Sequence, residues 1–209
     1  MKKLLRIDCS SRIIGSHSRE LADFLEKKWI IENPDGLVIR RDLVKQPLPH
    51  IQNNTIEGFF TPTQYATAES KQATALSDEL ISELKSAHEV LISSPLYNLN
   101  IPSNLKAYFD QVVRIGHTFD INENGYTGLL ENKEVFIITA KGGVFKGTSM
   151  EKFDFQESYL KAILGHMGIK TPKIFSLEGT SESKILEENK RALQKEINQS
   201  LKKISYETY

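Results

Sequence analysis

Five short apolar runs, each separated from the next by a turn and a helical pattern, constrain this chain more than any other feature. They are Leu4-Leu5-Arg6-Ile7, Leu37-Val38-Ile39, Val90-Leu91-Ile92, Val135-Phe136-Ile137-Ile138 and Ile174-Phe175-Ser176-Leu177. A strand that is apolar on both faces belongs in a parallel sheet covered on both sides. The segments between them carry helical spacing. Leu21, Phe24, Leu25 and Trp29 recur at three and four residues, as do Leu80, Ile81 and Leu84. Pro102 can open the next helix, because its missing N–H costs nothing in the first turn. Leu105, Tyr108, Phe109, Val112 and Val113 then form one face. A fourth helix is predicted over about 156–167. A fifth carries Leu193, Ile197, Leu201 and Ile204 on one side. Five strands alternating with five helices predict an α/β three-layer sandwich. Residues 46–68, with three prolines and the cluster Gly58-Phe59-Phe60, show no period and read as an excursion from the core.

At 209 residues the chain suits one domain, 1–209. Lys+Arg and Asp+Glu are equal at 27 each, so nothing in the bulk charge points to nucleic acid or a membrane surface. Neutrality also argues against an acidic electron shuttle. A single cysteine, Cys9, excludes an intrachain disulfide and a four-cysteine metal site. After Lys2-Lys3 only Leu4-Leu5 precede Arg6, too short for the core of a signal peptide, and no run approaches a membrane span. The expectation is a cytoplasmic, reduced protein. The five histidines show no ligand spacing, so no metal is expected.

In open α/β sheets ligands bind beyond the C-terminal strand ends, where strand order reverses. Three loops therefore matter. The first, Ser10-Ser11-Arg12-Ile13-Ile14-Gly15-Ser16-His17-Ser18, leads into a helix whose unpaired N–H groups and dipole favour an anion. It is neither a Walker A loop nor Gly-x-Gly-x-x-Gly. A serine-rich loop without lysine suits a terminal monophosphate held without magnesium. The plainer reading is that Ser18 is a helix N-cap. The second, Ser94-Pro95-Leu96-Tyr97-Asn98-Leu99-Asn100, offers flat apolar cover and polar contacts for an isoalloxazine ring, or is simply a proline-bounded turn. The third ends in Gly142-Gly143, where backbone can approach a ligand closely. A nucleophile elbow would need glycine two places after the serine, and Ser18 stands where Gly15-Ser16-His17 would require it. A phosphoacceptor receiver domain needs aspartate after the third strand, where Ser93-Ser94-Pro95 stand instead.

These residues resemble the bacterial FMN-dependent NADH azoreductases, within the flavodoxin-like quinone reductases. The likeness covers nearly the whole chain. It is strongest over Pro95 to Pro102 and Leu105-Lys106-Ala107-Tyr108-Phe109-Asp110, then Arg114 to Phe119 and Asn124-Gly125-Tyr126-Thr127-Gly128-Leu129. It implies a flavodoxin-like five-stranded parallel sheet of order 2-1-3-4-5. By the same likeness Ser10, Ser16, His17 and Ser18 hold the FMN phosphate. Leu96, Tyr97, Asn98 and Leu99 line the ring, and Ala140, Lys141, Gly142 and Gly143 meet its polar edge. Phe119 and His166 border the substrate side. The resemblance implies a homodimer with its sites at the subunit interface. It also implies two-electron transfer from NADH or NADPH through FMN to quinones or azo compounds. A non-enzymatic FMN carrier is the alternative. Leu99 departs from a common Phe, Tyr126 from a common Pro, Ala140-Lys141 from a Ser-Arg type pair, and His166 from an aromatic residue.

Overall fold

The computed structural model describes residues 1–123 and 125–204, with only the backbone of Thr63, Lys203 and Ile204. Asn124 of the matched stretch and the side chain of Ile204, expected on the last helix's apolar face, lie outside the described residues. The chain runs β1 (Lys3–Asp8), α1 (His17–Glu32), β2 (Leu37–Asp42), α2 (Asn53–Phe60), α3 (Ala68–Ser86), β3 (Glu89–Pro95) and α4 (Ser103–Val112). It continues through β4 (Phe119–Asn122), β5 (Gly125–Gly128), β6 (Glu134–Ala140), α5 (Phe155–His166), β7 (Lys173–Leu177) and α6 (Ser183–Ile204). Short 3-10 turns lie at Thr63–Tyr65 and Glu151–Phe153.

β2, β1, β3, β6 and β7 form one sheet in that order, every neighbour parallel. Counted over the sheet strands alone this is 2-1-3-4-5. The numbering shifts because β4 and β5 form a separate antiparallel hairpin that the apolar runs did not announce. The period of two explains why the strands are apolar throughout. Leu5, Ile7, Val90, Ile92, Val135 and Ile137 face a core with Leu80, Leu105, Tyr108, Phe109 and Leu160 of α3, α4 and α5. Their neighbours Leu4, Leu91, Phe136, Ile138, Phe175 and Leu177 face Leu21, Leu25 and Trp29 of α1 and Leu193 and Ile197 of α6.

β3 runs on through Ser93, Ser94 and Pro95, past the stop its serines suggest. It is a central strand, and β6 pairs it to the end, Pro95 opposite Ala140. The excursion is ordered as α2, which packs on α3. Gly58 lies so close that a β-carbon there would come within 2.6 Å of Thr74 Cγ2. Among the described residues no helix is long and apolar enough to cross a membrane.

Candidate cofactor site

Four strand ends converge on a cavity of about 180 Å³ at the C-terminal edge of the sheet. The loop after β1 supplies Ser10, Arg12, Gly15, Ser16, His17 and Ser18. The end of β3 supplies Pro95, Leu96 and Tyr97, the end of β6 Ala140 and Gly142, and the turn after β7 Thr180. Hollows of about 520, 540 and 590 Å³ occur elsewhere, but none brings these strand-end loops together.

At the α1 end the cavity is lined with donors. Ser16, not Ser18, is the N-cap, and its Oγ accepts a long bond from Arg19 N at 3.5 Å. Ser16 Oγ and Ser18 Oγ lie 3.3 Å apart. Ser18 is fully covered, while Ser16 keeps 6% of its surface exposed, so Ser16 is the hydroxyl nearer the opening. The N–H groups of His17 and Ser18 make none of the loop or cap hydrogen bonds. His17 Nδ1 is buried without a hydrogen-bond partner, the nearest carboxylate, Glu20, being 3.9 Å away. Gly15 turns the loop with φ +66°, a conformation costly for other residues.

The β6 end follows the same logic. The carbonyls of Lys141, Gly142 and Gly143 accept the N–H groups of Thr180, Ser181 and Gly179 at 3.0, 3.1 and 3.0 Å. Lys141 N donates to Leu177 O at 2.8 Å. The N–H groups of Gly142 and Gly143 make no such bonds. The acceptors are thus turned into the β7 turn and the two glycine donors are left over.

The β3 loop is rigidly held. Tyr97 N donates to Asn100 O at 2.9 Å and Asn100 N returns to Tyr97 O at 3.1 Å, closing a two-residue turn. Asn98 (φ +48°) and Leu99 (φ +70°) sit at its tip in the left-handed region, a strained position for leucine. Gln156 Nε2 binds Ser94 Oγ at 3.0 Å and Pro95 O at 2.8 Å, and Phe155 N donates to Leu99 O at 3.1 Å.

Not every expected residue reaches this cavity. The Lys141 side chain is turned away: it is 1% exposed, and its ammonium meets Asp154 at 2.5 Å, Glu157 at 2.7 Å and Glu178 at 3.2 Å. Burial alone would lower its pKa, but the carboxylates outweigh that and raise it. Asn98 faces a neighbouring hollow with His50, Asn100, Lys106, Asp110 and Tyr159. Leu99 and Gly143 are likewise outside the cavity wall. Phe119 and His166 do meet each other, at 4.4 Å between ring centroids, with Tyr126 at 5.2 Å from His166. They do not border this cavity within one chain. α5 begins beside Leu99 and runs back along the sheet, so His166 at its far end lies about 16 Å away at 1.5 Å per residue. Arg12, Gly15 and Pro95 line the cavity from within the loops singled out in the sequence, and Thr180 follows the fifth strand, where the strand-end rule would have found it.

A donor-rich pocket beside a helix N-terminus, with apolar backbone-rigid loop cover next to it and free glycine N–H groups opposite, fits the three parts of FMN: phosphate, ring and polar pyrimidine edge. The model of the flavodoxin-like fold family matches residues 2–202. FMN-dependent NADH:quinone oxidoreductases are similar along most of the chain. That of Xanthobacter autotrophicus is 45% identical over 172 residues, 81% of this chain and 83% of its own. That of Nostoc punctiforme is 39% identical over 204 residues, 95% of this chain and 100% of its own. Among solved structures, the azoreductase from Bacillus anthracis str. Sterne superposes with a TM-score of 0.90 at 26% identity, covering 97% of this chain and 100% of that one. An FMN-dependent NADH-azoreductase from Bacillus anthracis str. Ames Ancestor, in complex with FMN, shares the fold at a TM-score of 0.85 and 23% identity, covering 96% and 100%. The chain belongs to the flavodoxin-like fold family and, within it, to the FMN-dependent NADH:quinone oxidoreductases.

Proposed function

We propose that this protein, as one domain over residues 1–209, takes two electrons from NADH or NADPH and passes them through bound FMN to a quinone or azo acceptor. The observation that carries this reading is the convergence of four strand-end loops on one cavity whose acceptors are engaged and whose donors are free. Ser16 and the α1 N–H groups would hold the phosphate. Leu96 and Tyr97 would support the ring, and the Gly142 and Gly143 N–H groups would meet its pyrimidine edge, where negative charge grows on reduction. When bound, FMN supplies the hydride chemistry, and the protein positions it and shapes access. No side chain here is needed as a nucleophile. Donor and acceptor would share one open face in turn, which gives substituted-enzyme kinetics.

The reading includes a cytoplasmic homodimer. Phe60 and Tyr65, 73% and 70% exposed, form apolar surface that a second copy would cover. The Phe119–Tyr126–His166 cluster, remote from the cavity in its own chain, would then be available to a neighbour's flavin.

Purified protein is expected to be yellow or to bind FMN saturably. Rates with a nicotinamide and a small quinone should give parallel double-reciprocal lines, and sizing at micromolar concentration should give twice the chain mass. Bound FMN that neither nicotinamide reduces would leave a flavin carrier instead. A colourless protein without saturable FMN binding would overturn the flavin reading altogether.

A further inference from the structure

The phosphate pocket has an acceptor problem. Ser10 opens the loop after β1 at the pocket wall, and its carbonyl oxygen has the wrong sign for an anion cradle. Arg19, in the first turn of α1, takes that carbonyl with two groups: Nε at 3.3 Å and Nη2 at 2.9 Å. The other side of the same guanidinium is forked onto Asp42 at the end of β2, Nη1 to Oδ2 at 2.7 Å and Nη2 to Oδ1 at 2.9 Å. Asp8 is 3.8 Å away. Asp42 is itself fixed by the N–H groups of Val44 at 3.0 Å and Lys45 at 3.3 Å. Arg19 therefore ties the β1 loop, the start of α1 and the end of β2 into one unit. It is 9% exposed and does not line the cavity. Asp42 neutralises its charge through a two-point fork, while Asp8 is paired with Arg6 at 2.9 Å, so Arg19 has little positive potential left for a ligand.

We propose that Arg19 is a positioning residue for the cofactor phosphate, acting through Ser10 and through its fork with Asp42 rather than as a counter-ion. The proposal rests on the reading that FMN places its phosphate in this pocket. Planar bidentate geometry is what the task requires: one edge of the guanidinium must hold a carboxylate while another holds a carbonyl. A lysine can supply the charge but not the two-sided fork. The carbonyls after β6, bound by the β7 turn, show the same device at the opposite wall, built there from backbone alone.

The test compares FMN with riboflavin, which lacks the phosphate, by fluorescence quenching on the apoprotein. Arg19→Lys, which keeps the charge, should weaken FMN binding about tenfold and leave riboflavin within twofold, with the thermal midpoint of the apoprotein recorded for each variant. Asp42→Asn separates position from charge. It frees Arg19 from a neutralising partner, so a counter-ion role would tighten FMN, whereas a positioning role weakens it. Equal losses of FMN and riboflavin, unchanged FMN affinity in Arg19→Lys, or tighter FMN in Asp42→Asn would each overturn the proposal. Wild-type protein that binds riboflavin as well as FMN would instead overturn the phosphate-pocket reading on which it stands. Should Arg19→Lys not fold, the Asp42→Asn comparison carries the test alone.

Discussion

The α1 end of the cavity, the proposed phosphate site, and the aromatic cluster of Phe119, Tyr126 and His166 are opposites in construction. The first is closed by residues of one chain: Ser16 caps α1, Arg19 and Asp42 brace Ser10, and the carbonyls of the facing loop are already bonded. The second sits where the β4–β5 hairpin meets the far end of α5, and Tyr126 is 69% exposed. On the proposed reading, the donors that would grip FMN come from one chain, while the surface that would select the acceptor lies apart from them in that chain. Anchoring and selection should therefore respond to different substitutions.

The largest effect is expected at the phosphate end. Ser16→Ala removes a hydroxyl donor to a charged group, worth about 1.5–3 kcal/mol. FMN should bind at least tenfold more weakly and riboflavin almost unchanged. Ser18→Ala should cost less, because Ser18 is fully covered and shares its hydroxyl with Ser16. Titration of both ligands against each variant decides this. If Ser18→Ala were the more harmful for FMN alone, the assignment of Ser16 as the outer donor would be wrong.

The hairpin can be broken separately. A β-carbon at Gly128 would overlap the backbone of Gly168 and Met167, with no flexible side chain to yield. Gly128→Ala should destabilise the protein by about 2 kcal/mol through overpacking and displace the hairpin from α5. FMN affinity should stay within twofold while the rate of quinone reduction falls. Denaturant midpoints, FMN titration and turnover on one preparation would show whether the two regions are as separable as the structure has them.

Acid sharpens the contrast from the other side. Burial would raise the Asp42 pKa, but Arg19 and the Val44 and Lys45 N–H groups outweigh it and bring it down to about 2. A depressed carboxylate stabilises the fold fully above its unfolded pKa near 3.8 and loses that contribution as pH falls toward 2. The contribution is at most about 2 kcal/mol. The stability gap between wild type and Asp42→Asn should be widest near pH 6 and narrow below pH 3. A gap that is constant with pH would mean that the carboxylate charge is not what holds β2 to the phosphate loop.

What was legible in the sequence follows from which signals are local. The sheet strands could be read because Leu4 and Leu5, or Leu91 and Ile92, serve opposite cores and so leave an unbroken apolar run. The hairpin could not. Asp120, Ile121 and Asn122 are exposed, its strands are four residues long, and no core dictates their pattern. α2 was hidden among prolines because its reason for existing is the contact of Gly58 with Thr74, across the loop. The direction of the Lys141 side chain could not be read from its place beside the glycine pair. The carboxylates that draw it away lie 13, 16 and 37 residues along the chain. The serine loop could be singled out because its chemistry and its spacing occupy one short stretch.

The smallest effect, and the one most particular to the second region, belongs to His166. Its ring lies 4.4 Å from Phe119 and 5.2 Å from Tyr126, both tilted, so its removal forfeits two aromatic contacts of about 0.5–1.5 kcal/mol each at most. It is not among the residues that line the cavity. His166→Ala should therefore leave FMN affinity and the nicotinamide half-reaction within twofold and change the quinone or azo KM by a few-fold. His166→Phe, which restores a flat ring, should return KM toward wild type if the cluster acts as a wall. If only the alanine and phenylalanine variants share a fall in kcat that steepens with pH, the imidazole supplies a proton and the wall reading fails. If both are silent with several acceptors, the cluster lies away from the acceptor even in the assembled protein. The comparison then reduces to an anchored cofactor in an open site.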